Sequence, residues 1–178
     1  ADEFIAAGYT FYTIDPGDHV DEEAHTAPPA KLPAKVEALP WDTLASTKRG
    51  LEQRYLERRF DLGDFAVAFD RETLYRAAAK YGGAIAHTAQ MYRKLVEKMG
   101  ERTFELEVSV DETETPTSAA EHVFVASELR RLGVEWISMA PRYVGRFEKG
   151  VDYEGTGPAR TCSAADLRAF ETELVKHP

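Results

Sequence analysis

Residues 103–141 read TFELEVSVDETETPTSAAEHVFVASELRRLGVEWISMAP, and the fold is decided there. From Thr103 to Val110 apolar and polar side chains alternate strictly. Phe104, Leu106, Val108 and Val110 share one face; Glu105, Glu107 and Ser109 share the other, and Asp111 continues the polar row. A period of two marks a strand with one buried face. Ser118 and Glu121 have the spacing of a capping box, so a helix starts there; it runs to Leu132 and stops at Gly133. Val134 to Ala140 reads as a second strand, ended by Pro141. Two strands separated by a helix form a βα unit whose strands pair in parallel.

The same logic extends outward. Leu74, Ala78, Tyr81, Ile85, Thr88, Tyr92, Leu95 and Met99 recur at steps of four and three, which predicts one long packed helix over 71–99, ended by Gly100. Tyr81 and Tyr92 on that stripe are core residues, and His87 and His122 are helix residues without a ligand role. Tyr9 to Asp15 is β-branched and aromatic and then meets Pro16-Gly17, which predicts a strand ended by a turn. Asp18 to Ala30 reads as a loop, and 37–59 as helical in parts. Ser163 and Asp166 resemble a weaker cap, with Leu167, Phe170 and Leu174 on one face of a last helix. The order is strand, helices, strand, helix, strand, helix. This predicts an α/β chain of parallel (β/α)-barrel type, TIM-barrel-like, with part of the barrel present. Residues 1–178 are then a single segment of a catalytic domain, incomplete at both ends, because three strands cannot close a barrel.

Hydrophobic residues make up 43% of the chain and charged residues 30%, an ordinary globular composition. Acidic residues outnumber basic ones by 31 to 22, for a formal charge of −9. That balance repels phosphate backbones and anionic lipid and argues against nucleic-acid or membrane partners. No apolar run approaches the roughly 20 residues of a membrane span. Cys162 is the single cysteine, which excludes an internal disulfide and fits a cytoplasmic setting.

Each predicted strand ends in polar groups: Asp15, Asp18, His19 and Asp21 after the first; Asp111, Glu112 and Glu114 after the second; Arg142, then Lys149 and Asp152, after the third. Parallel α/β folds form their sites at the carboxyl ends of the strands. An imidazole beside carboxylates has the donor chemistry of a divalent-metal site, although Asp18-His19 also fits a plain Asx turn. Three carboxylates within Asp111–Glu114 repel one another unless a cation or proton relieves them, or the loop is simply solvated. If the apolar face meets the helices, Glu107, Ser109 and Asp111 look into the barrel. Arg142 has the geometry to grip a substrate carboxylate or to pair with a neighbouring loop, and Lys149 could play either part. Glu121 is explained by capping.

The stretch from Phe104 to Asp152, the loop TIDPGDHVD at Thr13 to Asp21 and the helix RAAAKYGGAIAH at Arg76 to His87 are together similar to the tagaturonate epimerase family. The resemblance implies a barrel-like enzyme with a divalent metal that interconverts D-tagaturonate and D-fructuronate, a small sugar acid, in hexuronate breakdown. It implies a longer protein with a further histidine ligand on a later strand. Thr156 to Ala164 looks like an insertion against that pattern. Carried over by position, His19 is the first metal ligand and Asp152 a second. Asp18 is the neighbouring base, and Asp111 or Glu112 the acid on the opposite side.

The two sugar acids differ two carbons from the ketone, beyond the reach of simple enolisation. Reversible aldol cleavage reaches that centre and requires a Lewis acid, an acid–base pair and a carboxylate clamp. A redox route would need a nicotinamide, and the chain has no Gly-rich dinucleotide loop. Two rival readings stand beside this one: another barrel aldolase or epimerase of sugar acids, and a non-catalytic piece with solvated acidic loops.

Overall fold

A computed structural model describes residues 2–63, 65–145, 168, 170–172 and 175. The elements in chain order are α1 (Asp2–Ala6), β1 (Phe11–Ile14), α2 (Glu23–Thr26), α3 (Leu32–Glu37), α4 (Lys48–Tyr55), β2 (Arg59–Asp61), β3 (Ala66–Ala68), α5 (Arg71–Met99), β4 (Glu105–Val110), α6 (Ala119–Arg131) and β5 (Ser138–Pro141), with 3-10 turns at Gly17–His19 and Pro29–Lys31.

β1, β4 and β5 form a three-stranded sheet in that order, and both pairings are parallel. Thr13, Glu107 and Ser138 stand in one register row across it. Leu106, Val108 and Val110 are buried, as the alternation requires. The opposite face carries Thr13, Glu107 and Asp111 and is largely open to solvent. Tertiary structure therefore covers one face of a parallel sheet, an α/β arrangement.

The long helix occupies the predicted span 71–99. Asp70 caps its N-terminus through Oδ1 to the Thr73 amide at 2.7 Å, and Gly100 ends it at φ 61°. Its middle is buried more completely than one stripe requires: Ala77, Ala79, Lys80, Ala84, Ala86 and Ala89 are all buried. The small side chains allow α2, α3 and α6 to pack closely around it. Tyr81 is core and Tyr92 is partly buried against it.

α6 starts with a complete capping box at Ser118 and Glu121. The third strand is shorter than expected: pairing begins at Ser138 and includes Pro141. Its proline sits in the last register position, where a missing N–H costs least. Two further readings are corrected. Asp18–Ala30 is not plain loop: it holds α2 and parts of two short turns, the second of which starts at Pro29, whose fixed φ suits the first position of a helical turn. The antiparallel hairpin β2–β3 had not been anticipated. Its strands of three residues are too short to display a period. Among the described residues no helix is long and apolar enough to cross a membrane. The expectations for Lys149, Asp152, Cys162, Ser163, Asp166, Leu167, Leu174 and Thr156–Ala164 lie outside the described residues.

Candidate active site at the carboxyl ends of the parallel strands

β4 is the middle strand, so its terminal loop is flanked by those of β1 and β5. Neighbouring strands run about 4.8 Å apart, which places the three polar loops side by side. The turn after β1 reaches the loop after β4: a Cβ at Gly17 would lie 3.9 Å from the Glu112 carbonyl oxygen and 4.0 Å from the Glu112 Cβ. Gly17 itself is fixed by its amide, which donates to Asp15 Oδ1 at 2.9 Å.

Asp18 and His19 occupy the 3-10 turn there, and both are exposed. The His19 ring lies on the His87 ring with centroids 3.9 Å apart and planes 22° from parallel. Sequence reasoning had left His87 out of the site, and the stack brings it in. The signal in the sequence is Gly83, one turn before His87. A Cβ there would come within 2.8 Å of the His19 carbonyl oxygen, so the loop approaches α5 only where glycine stands. Burial, then His19 and Lys94, hold the His87 imidazole below its ordinary range, against an opposing pull from Asp18. Neutral imidazole is the form that ligates a metal or accepts a proton.

Asp111 and Glu112 are exposed at the end of β4. Ser109 Oγ donates to Asp111 Oδ1 and orients it. One row back, Thr13 Oγ1 donates to Glu107 Oε1 at 3.2 Å and Ser138 Oγ to Glu107 Oε2 at 2.9 Å, so this carboxylate is held from both neighbouring strands. Arg142 is half-buried after β5, and its guanidinium has no ion-pair partner among the described residues.

The three loops are tied together beneath the site. The Asp21 amide donates to the Lys80 carbonyl at 2.9 Å, and the Glu114 amide to Glu22 Oε1 at 3.1 Å. The Thr117 amide donates to the Arg142 carbonyl at 2.7 Å, and the Arg142 amide to Thr117 Oγ1 at 3.0 Å. Tyr81 packs its hydroxyl 3.4 Å from Thr117 Oγ1, and burial, followed by Glu121, pushes that phenol up.

His19 with nearby carboxylates has the right chemistry for a divalent cation, and the His87 ring is stacked on it. Among the described residues, however, no three His, Cys, Asp or Glu side chains cluster closely enough to hold one. These residues fit as part of a ligand set. A groove of about 500 Å³ lies elsewhere, between the β2–β3 hairpin, α6 and β5, lined by Phe60, Leu62, His122, Trp136 and Met139 among others. None of the candidate residues lines it.

A family model described as tagaturonate epimerase matches residues 1–178. The tagaturonate/fructuronate epimerase of Thermotoga maritima is 39% identical over 170 residues, which is 96% of this chain and 31% of that protein. Crystal structures of the fructuronate-tagaturonate epimerase UxaE from Cohnella laeviribosi, native and complexed with one glycerol, match with a TM-score of 0.83 at 35% and 36% identity. They cover 99% of this chain and 33% of theirs. The chain thus spans about a third of the length of the relatives it matches.

Proposed function

The chain belongs to the tagaturonate epimerase family, and on that premise we propose that it carries part of the catalytic face of an isomerase interconverting D-tagaturonate and D-fructuronate. The carrying observation is the alignment of candidate acid, base and cationic residues on three adjacent parallel strand ends whose loops are hydrogen-bonded to one another. The sheet is covered on one face and polar on the other, as a sector of a (β/α)-barrel would be. Relatives three times as long leave sequence for the remaining strands.

In this reading His19 helps hold a divalent cation, with Asp152 and donors from the rest of the protein completing the set. The cation supplies Lewis acidity at the ketone oxygen. Asp18 takes the proton of the hydroxyl two carbons from the ketone. The electron pair of that oxygen forms the aldehyde as the adjacent carbon–carbon bond breaks. The pair from the broken bond passes into the ketone fragment. The aldehyde turns over, the bond re-forms on its other face, and Asp111 or Glu112 returns the proton. Arg142, with Lys149, clamps the substrate carboxylate and keeps the fragment in place.

The test uses the full-length protein with added divalent ions and follows D-tagaturonate by NMR. Conversion to D-fructuronate that is lost in His19→Ala, Asp18→Asn and Glu112→Gln supports the reading. Turnover in the presence of isotopically labelled 2-hydroxy-3-oxopropanoate should incorporate label into the sugar acid. Active turnover without incorporation or trapping of that fragment would count against aldol cleavage, while no conversion at all would exclude the epimerase reading.

A further inference from the structure

Lys80 is a lysine with no exposed surface, in the middle of α5. Its Nζ donates to Thr115 Oγ1 at 2.9 Å, lies 3.3 Å from Glu121 Oε1, and sits 4.9 Å from the centre of the Tyr81 ring. Its own carbonyl accepts the Asp21 amide. One residue therefore touches the loop after β1 through its backbone and the loop after β4 through its side chain. Glu121 is already engaged as the capping-box residue, with Oε2 accepting the Ser118 amide at 2.7 Å. Capping does not require a buried counter-charge, so the ion pair to Lys80 is additional. Glu22 belongs to the same cluster: Oε1 accepts the Glu114 amide, and Oε2 is buried without a hydrogen-bond partner. After burial itself, both carboxylates add to the upward push on the Tyr81 phenol.

We propose that Lys80 is a positioning residue for the epimerase reaction, a buried ammonium that fixes the loop carrying Asp111 and Glu112 against the loop carrying Asp18 and His19. The inference rests on the functional reading above. Burying a lysine is costly, and an apolar residue of similar volume is often as stable, so the charge is better explained by the geometry it specifies than by the stability it adds. Its acceptor Thr115 lies midway along the loop between β4 and α6, between Glu114, whose amide is tied to Glu22, and Thr117, which is tied to Arg142. Because Thr117 in turn holds both the amide and the carbonyl of Arg142, a shift of this loop also moves the third strand end.

The test compares Lys80→Met, Thr115→Val and Lys80→Met/Glu121→Gln with the wild-type full-length protein. It measures kcat and KM for D-tagaturonate, Tm, and native-state amide exchange. Lys80→Met should lower kcat on the order of 10- to 100-fold, the effect of misplacing reacting groups by about an ångström. Thr115→Val, which keeps the charge, should reproduce part of that loss at an unchanged Tm. The double variant, in which no carboxylate faces an empty slot, should regain Tm without regaining kcat. Exchange at the Glu114, Thr117 and Arg142 amides should quicken at least about tenfold in Lys80→Met. If the double variant recovers kcat together with Tm, Lys80 only balances charge and the proposal falls. Unchanged exchange at all three amides overturns it as well. If the wild-type protein does not epimerise the sugar acid, the functional reading fails by itself, and the exchange data alone decide whether Lys80 fixes the loops.

Discussion

His19 and His87 lie face to face, 3.9 Å between ring centres, although 67 residues that include α2, α3 and α4 separate them in sequence. The contact joins a strand-end loop to the middle of α5, and it has a pH signature. Burial is the first cause that holds the His87 imidazole below the ordinary histidine value of about 6.5. The folded protein thus takes up this proton at lower pH than the unfolded chain does. The contribution to stability is whole above about pH 6.5 and is lost as pH falls through the lowered folded value. In chelator-treated protein, Tm should drop between about pH 7 and pH 5, and the drop should shrink in His87→Asn. An NMR titration midpoint for His87 at or above 6.5 would contradict this account.

Neighbouring glycines on α5 should respond differently to alanine. At Gly83 the new Cβ would stand 2.8 Å from a backbone oxygen, that of His19, which moves only if the whole loop moves. Gly83→Ala should therefore cost about 1–3 kcal/mol despite its gain in helix propensity, and should weaken divalent-ion binding. At Gly82 the obstruction is the end of the Leu39 side chain, at 2.6 and 2.8 Å. A rotamer change relieves it, so Gly82→Ala should stay within about 1 kcal/mol of wild type. Chemical denaturation and calorimetric metal titration of both variants separate the two cases.

Glu128 should prove a stability residue with no part in the chemistry. Its buried carboxylate accepts from Arg54 Nε at 3.1 Å, from Arg131 Nη2 at 2.8 Å and from the Tyr55 hydroxyl at 3.0 Å, joining α4 to α6. Arg131 Nη2 also donates to the Leu44 carbonyl at 2.6 Å. Glu128→Ala leaves these donors facing an empty slot and should cost about 3 kcal/mol, read as a shifted denaturation midpoint. Glu128→Gln keeps an acceptor for Tyr55 and should lose less. kcat should be unchanged in whatever fraction remains folded.

The helices and the parallel strands were legible in the sequence wherever one side of an element faces a core and the other faces water. The period of four and three gave α5 its ends, and the alternation gave β4 its two faces. The Ser118–Glu121 box marked the start of α6. What escaped was set by contacts between distant segments. Lys80 and His87 look like ordinary helix residues until the loop after β1 folds back onto α5, and Glu121 shows its capping role in sequence but not its partner. The β2–β3 hairpin escaped for the opposite reason, having too few residues for any pattern. Asp18, His19, Asp111, Glu112 and Arg142 lie on the segments that follow the three parallel strands, which is the placement the parallel topology implies.

The row formed by Thr13, Glu107 and Ser138 has a consequence for folding as well as for chemistry. Sliding β4 by a single residue would turn Glu107 toward the helices and Leu106 and Val108 toward water and would break both hydroxyl contacts at once, while sliding β1 or β5 would break the contact that strand makes. The sheet therefore has a single admissible phase. Every residue beyond the row is counted from it, so the strand ends inherit their alignment from a carboxylate further back along β4.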